Sequence, residues 1–263
     1  MSAGAQVRAS DLTDDKEFMA TLAKGLAVIR AFGEHRPVMT LSQAAAEVGL
    51  SRATARRILR TLAELGYVEQ AGRHFALAPR VLELGFRYLA TQSWIDRALP
   101  LMKALSEAVE ESCSVAILQG TEIVYVARVP TRRIMTSVLT VGARLPAFHT
   151  SLGRVQLGFL STEDLWRRLR SVSIEPYTPS TITDLGALVE RIREDHGRGF
   201  SIVDEELEKG LRSIAVPLTA RSGRVIAGLN LSAHSNRTTR NEMRERFLPK
   251  LMEAARQIAV FAE

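Results

Sequence analysis

The sequence predicts an α+β protein built as two domains joined by a helix. Three observations predict it. Up to Gly66 the apolar residues recur every three or four positions, the spacing of helices that bury one face. After the helical stretch that starts at Ser93, runs such as "CSVAILQG" and "VIAGLNLSA" read as strands divided by glycine turns. Between these regions lies a short helical segment opened by Pro79. The expected divisions are a flexible arm at 1–18, a first domain at 19–78, a linker helix at 79–92 and a second domain at 93–263.

Composition permits two cores. The chain has 263 residues and is 46% hydrophobic, enough for two domains of ordinary size. Cys113 is its single cysteine, which excludes an internal disulfide and argues for a reducing, cytoplasmic setting. The opening "MSAGAQVRASDLTDDKEF" has no signal-peptide core, and no run approaches the roughly 20 apolar residues of a membrane span. A net charge of +6 hints at a polyanionic partner. Residues 1–92 hold 12 basic and 9 acidic side chains against 23 and 20 in the remainder. Each part is only +3, so local clustering has to identify the partner.

The first helix is expected in "TLAKGLAVIRAF", with Leu22, Leu26, Ile29 and Phe32 at helical spacing. "GEHRPVM" breaks it, and "TLSQAAAEVG" gives a shorter helix with Leu41, Ala44, Ala45 and Val48 on one face, closing at Gly49. Ser51 then caps "SRATARRILRTLAELG". Ala55, Ile58, Leu59, Leu62 and Leu65 make its apolar stripe, and Arg52, Arg56 and Arg60 recur every four residues on another. "YVEQAGRHFALA" alternates around Ala71-Gly72 as a hairpin, with Arg73 and His74 near its tip. Helix, helix, turn, basic helix and hairpin is the order of a winged helix-turn-helix.

In the second domain, Ile95, Leu99, Met102, Leu105 and Val109 make a long helix. "CSVAILQG" and "TEIVYVARVP" follow as strands across Gly120-Thr121, and "RIMTSVLTV" as a third. "FSIVDEE" is the fourth, and "RSIAVPLTA" and "VIAGLNLSA" form a last hairpin across Ser222-Gly223. Helices are expected near 151–160, 162–171 and 184–196, and Arg144 to His149 reads as a loop. The final helix starts with a capping box, Thr239 to Glu242.

Catalytic chemistry finds no support. GxxxxGK[ST], GxGxxG after a strand, HExxH and GxSxG are all missing, and His35, His74, His149, His196 and His234 are scattered. No catalytic residue, metal or cofactor is expected, and Cys113 reads as a packed core residue. Binding chemistry does find support. Four arginines within Ser51–Arg60, with no acid among them, either make a solvated face or lie along a major groove. In a groove Arg52, Thr54, Arg56 and Arg57 reach bases or phosphates, and Arg60 a phosphate. Thr40, Ser42 and Ser51 offer hydroxyls at helix starts, and Arg73 and His74 offer contacts from the wing. In the second domain Thr150 and Ser151 sit where a helix begins, and either cap it or receive a carboxylate. Asn230 and Ser232 share a strand face at period two, and either meet water or line a pocket.

In register over about residues 18–262, these segments together resemble the IclR family of bacterial transcriptional regulators. The resemblance rests on "LAKGLAVIRAF", "LSQAAAEVGLSRATARRILRTLAELGYV", "RVLELG", "LPAFHTSLGRV" and "DEELEKGLRSIAVPL". "YVARVPTRRIMTSVLTVGARLPAFHTSLGR" looks most like the Pca and Pob branch, which controls aromatic-acid and β-ketoadipate pathway genes. The resemblance implies a GAF-like effector domain and homodimers that often pair into tetramers, with the linker helix and N-terminal domain making the dimer contact. It also implies an effector pocket that includes Ser151, Leu152, Leu211, Ser213, Asn230 and Ser232. Thr150, Gly153, Asp204 and Arg212 complete the candidate set. Phe148 and Arg154 stand where many members have histidine and lysine, and Val203 where some have an acid. An acid other than glyoxylate or pyruvate is therefore expected.

The function these readings imply is regulation of operator DNA by a small carboxylate, with protocatechuate, 4-hydroxybenzoate and β-ketoadipate as candidate acids. Arg132, Arg133, Arg144 and Arg212 are the countercharges within reach in sequence. Three rival readings remain: a regulator of another organic-acid pathway, an enzyme with an appended DNA-binding module, and a DNA binder whose C-terminal domain only oligomerises.

Overall fold

The computed structural model describes residues 17–131 and 139–262. They form two compact units, the first ending at Tyr88 and the second starting at Leu89. Among the described residues no helix is long and apolar enough to cross a membrane.

The first unit is built from α1 (Ala20–Ala31), β1 (Val38–Thr40), α2 (Leu41–Glu47), α3 (Arg52–Glu64), β2 (Val68–Ala71) and β3 (His74–Leu77). Its three strands pair antiparallel in the order β1-β3-β2. β1 is absent from the sequence reading, because three residues are too few to display an alternation. The β2–β3 turn is Gly72-Arg73, one residue beyond the expected tip, since Ala71 pairs with His74 and Gly72 takes φ 60°. Val28, Phe32, Ala44, Leu59 and Phe75 meet in the core. α1 turns only part of the expected face inward: Phe32 is buried and Ile29 packs against the core, but Leu22 and Leu26 are 60% and 49% exposed while Val28 is fully buried. The turn into α3 needs Gly49 at φ 63°, with the Leu50 amide donating to the Ala45 carbonyl at 2.9 Å.

A 3-10 turn at Pro79–Val81 leads into α4 (Leu82–Ala90), which buries none of its residues. The second unit continues with α5 (Ser93–Val109), β4 (Ser112–Gln119), β5 (Glu122–Val129), β6 (Arg144–Pro146), α6 (Ser151–Leu157), α7 (Thr162–Arg170), α8 (Leu185–Arg198), β7 (Ser201–Asp204), β8 (Leu211–Thr219) and β9 (Val225–His234). The C-terminal helix runs through α9 (Arg240–Glu242), a π turn at Met243–Phe247 and α10 (Leu248–Ala259). Its capping box is present, with Thr239 and Glu242 bonding reciprocally.

The six strands form one antiparallel sheet, β6-β5-β4-β9-β8-β7. Alternation divides its residues between two layers. Cys113, Val115, Ile214, Val216, Leu229 and Leu231 face one core with Met102 of α5 and Phe247, Leu251 and Ile258 of the C-terminal helix. Ala116, Ile123, Tyr125 and Ala215 face the other, with Leu152 of α6, Leu165 of α7 and Leu188 and Ile192 of α8. The segment expected as a loop, Arg144 to His149, is instead β6 followed by a 3-10 turn at Ala147–His149. It is held because Leu145 pairs with Ile123 across β5. Most of the expected strand "RIMTSVLTV" lies outside the described residues.

Candidate nucleic-acid face and buried polar band

Two sites emerge, of opposite physical character. On α3, Ala55, Ile58, Leu59 and Leu62 are buried, and the other side presents Arg52, Arg56, Arg57 and Arg60 to solvent. No described carboxylate pairs with any of the four. Two acceptors hold the helix starts in place. Ser51 Oγ accepts from the Thr54 amide at 3.2 Å and lies 2.9 Å from Thr54 Oγ1. Thr40 exchanges bonds with Gln43, its amide donating to Oε1 at 2.8 Å. The hydroxyls of Thr40, Ser51 and Thr54 are thus engaged in capping, while Ser42, Arg73 and His74 are exposed. An exposed cationic helix face without a described countercharge suits a polyanion.

The second site is inside. β4, β9 and β8 lie side by side, and their register sets polar residues into two adjacent rungs on the α6 face. One rung is Arg128–Ser114–Asn230 across β5, β4 and β9. The next is Ser112–Ser232–Ser213 across β4, β9 and β8. Ser151 of α6 closes over the second rung, its hydroxyl donating to Ser213 Oγ at 2.9 Å. Asn230 Nδ2 donates to Ser232 Oγ at 3.0 Å. Its Oδ1 is buried with no partner among the described residues, a state that costs about 1–3 kcal/mol until a donor arrives. Arg128 Nη1 reaches Ser114 Oγ at 3.4 Å.

Other expected site residues serve different ends. Thr150 Oγ1 accepts from the Gly153 amide at 3.1 Å and donates to the Ala147 carbonyl at 3.2 Å, so it caps α6. Gly153 is needed for contact, since a Cβ there would sit 2.1 Å from the Ala147 oxygen. Leu152 is fully buried among apolar neighbours, and Leu211 is half-buried at the start of β8.

Asp204 and Arg212 are not on the polar band. They share parity with Ile202 and Ile214 of the other layer and bond each other at 2.7 and 3.0 Å, with Arg240 adding a further 2.8 Å contact to Asp204. Arg212 therefore drops out as a countercharge. Arg144 does too, because its guanidinium is taken by Glu122 at 2.8 Å and Gln119 at 2.6 Å. Arg132 and Arg133 lie outside the described residues.

Sequence reasoning missed Arg128 and Ser114. The signal was there in part, since Arg128 interrupts an otherwise apolar strand, but only the β4–β5 register reveals that it faces Ser114. It also missed a buried ion pair. Arg154, fully buried, bonds Glu206 through both Nη atoms at 2.9 and 2.5 Å and the Phe148 carbonyl at 2.8 Å. This fork fastens α6 to the segment after β7. Beside it His149 is buried edge-on to Phe148 and Tyr177, with both ring nitrogens unpartnered among the described residues. Desolvation, aided by the Arg154 charge, pulls its pKa down to about 4. Burial pushes the Cys113 thiol up, away from thiolate reactivity.

The family model described as the IclR helix-turn-helix domain matches residues 21–72, and the bacterial transcriptional regulator IclR C-terminal model matches residues 86–260. The chain belongs to the IclR family. Among curated relatives, the Pca regulon regulatory protein of Pseudomonas putida is 40% identical over 252 residues, covering 95% of this chain and 87% of its own. The p-hydroxybenzoate hydroxylase transcriptional activator of Acinetobacter baylyi is 33% identical, covering 92% of each chain.

A solved transcriptional regulator from Rhodococcus sp. RHA1 superposes with a TM-score of 0.81 at 44% identity, covering 92% of this chain and 98% of that one. The inducer-binding domain of an Acinetobacter PobR double mutant, in complex with 3-hydroxybenzoic acid, is 28% identical with a TM-score of 0.60. It covers 63% of this chain and 97% of its own. This IclR-family member is a DNA-binding transcriptional regulator and not an enzyme.

Proposed function

We propose that this IclR-family regulator senses a small carboxylic acid on the α6 face of its second unit and controls genes of aromatic-acid catabolism. The buried polar band carries the reading. Four expected pocket residues, Ser151, Ser213, Asn230 and Ser232, converge there around an acceptor with no described partner. A hydroxybenzoic acid bound by the PobR domain, and relatives named for the Pca regulon and p-hydroxybenzoate hydroxylase, support the chemical class. Arg52 and Arg56 read bases, Arg57 and Arg60 meet phosphates, and Ser42, Arg73 and His74 add backbone contacts.

The working unit is a homodimer that pairs further into a tetramer. The exposed apolar side chains of α4 support a self-association surface, with Leu82 61%, Phe86 64% and Tyr88 46% exposed. Effector binding shifts the assembly between arrangements that differ in α3 spacing, and so in operator affinity.

Thermal-shift titration of the full chain with protocatechuate, 4-hydroxybenzoate and β-ketoadipate tests the reading. A true effector at 100 times its dissociation constant stabilises by about 2.7 kcal/mol, and Ser151→Leu with Asn230→Leu should abolish the shift. Absence of any shift across the three acids overturns the reading.

A further inference from the structure

Arg128 has a position that neither Arg144 nor Arg212 shares. It lies on the polar band itself, one strand from Ser114 and two from Asn230, on the same face of the sheet. Among the described residues no carboxylate pairs with it; its one bond is the 3.4 Å contact to a serine hydroxyl. Arg154, the fully buried arginine of α6, is saturated by Glu206 and the Phe148 carbonyl. A half-buried guanidinium without a described countercharge is a planar fork suited to a carboxylate.

At the far end of the same rung, Asn230 is 3% exposed and its amide is already spent on Ser232, which leaves Oδ1 as an acceptor awaiting a donor. Neighbouring strands are about 4.8 Å apart, so the strands carrying Arg128 and Asn230 are separated by on the order of 10 Å. The guanidinium folds toward Ser114, 3.4 Å from its Oγ, and so lies over the same rung as Asn230.

We infer that Arg128 receives the carboxylate of the effector and that Asn230 Oδ1 accepts a hydroxyl from the same molecule, so that the pocket selects hydroxylated aromatic carboxylates. This rests on the effector-pocket reading above. Arg128 sets the preference for an acid over its neutral amide. Asn230 sets the preference for the hydroxylated ring over the bare one.

Isothermal titration of the full-length protein with 4-hydroxybenzoate, 4-hydroxybenzamide and benzoate separates these roles. The wild-type protein should bind the acid on the order of 10- to 100-fold more tightly than the amide, as expected for a charge-assisted bond. It should bind benzoate about tenfold more weakly than 4-hydroxybenzoate. Arg128→Gln should erase the acid-over-amide preference while leaving the hydroxyl preference, and Asn230→Leu should do the reverse. Arg128→Lys keeps the charge but loses the fork, and should show a reduced preference even where the glutamine variant is too unstable to titrate.

The assignment is overturned when Arg128→Gln, or failing that Arg128→Lys, retains the full acid-over-amide ratio. If that happens while Ser151→Leu with Asn230→Leu abolishes binding, the pocket stands and only the role of Arg128 falls. If the wild-type protein binds none of the three compounds, the pocket reading itself falls and takes the assignment with it.

Discussion

The two sites of this regulator are made in opposite ways. The α3 face is contiguous in sequence, exposed and unpaired, and its arginines owe nothing to each other. The polar band draws on β4, β5, β8, β9 and α6, is largely buried, and has its members bonded to one another, with Asn230 Oδ1 left without a described partner and Arg128 without a described carboxylate. The contrast teaches that a surface for a polyanion needs only a helix with a held start. A site for a small molecule needs a register. Damage to the first should therefore cost affinity with little stability, and damage to the second should cost stability together with response.

The largest expected effect lies beneath α6. Glu206→Ala leaves the Arg154 charge buried without its partner, and should lower stability by about 3–5 kcal/mol, read as a drop in melting temperature by calorimetry. A loss under 1 kcal/mol would show that α6 is not held by this pair. Next is pH. His149 has a folded pKa of about 4 against an ordinary 6.5, so the unfolded chain binds more protons between those values and stability falls as pH drops from 6.5 toward 4. The full loss is about 3 kcal/mol. His149→Phe should flatten that part of the stability profile, and an unchanged slope would assign it elsewhere.

On the exposed side, Arg56→Ala should cost about 1–3 kcal/mol of operator affinity in gel-shift titration, with stability changed by no more than about 0.5 kcal/mol. Equal affinity for the variant would remove α3 as the reading helix. The smallest effect is Thr40→Ala, which dismantles the α2 capping box and should destabilise the first unit by about 1 kcal/mol, measured by denaturant unfolding.

The same contrast decides what could be read in advance. The basic stripe at Arg52, Arg56 and Arg60 was legible because helical periodicity alone puts it opposite Ile58 and Leu59. The parity of Asn230 and Ser232 was legible within β9, Ser151 was legible as a helix start, and Ser213 came from family resemblance. Arg128 was not, because its partner Ser114 is identified only by the register across a β-bulge between Val115 and Ala116. Asp204 and Arg212 were misplaced for a related reason. Proximity in sequence to Ser213 says nothing about which face a side chain takes, and one residue along β8 reverses it. β1 was invisible because it is three residues long, and β6 because its pairing with β5 is what makes it a strand.

The central pairing of the sheet joins Ser112 to Ser232, and that has a consequence for the order of events during synthesis. The DNA-reading unit has all its elements once Leu77 has emerged, whereas the band is incomplete until β9 ends at His234. At about 5–20 residues per second, translation of the intervening chain takes roughly 8–30 s. Each new molecule thus completes its helix-turn-helix unit before it completes the sheet that carries the polar band.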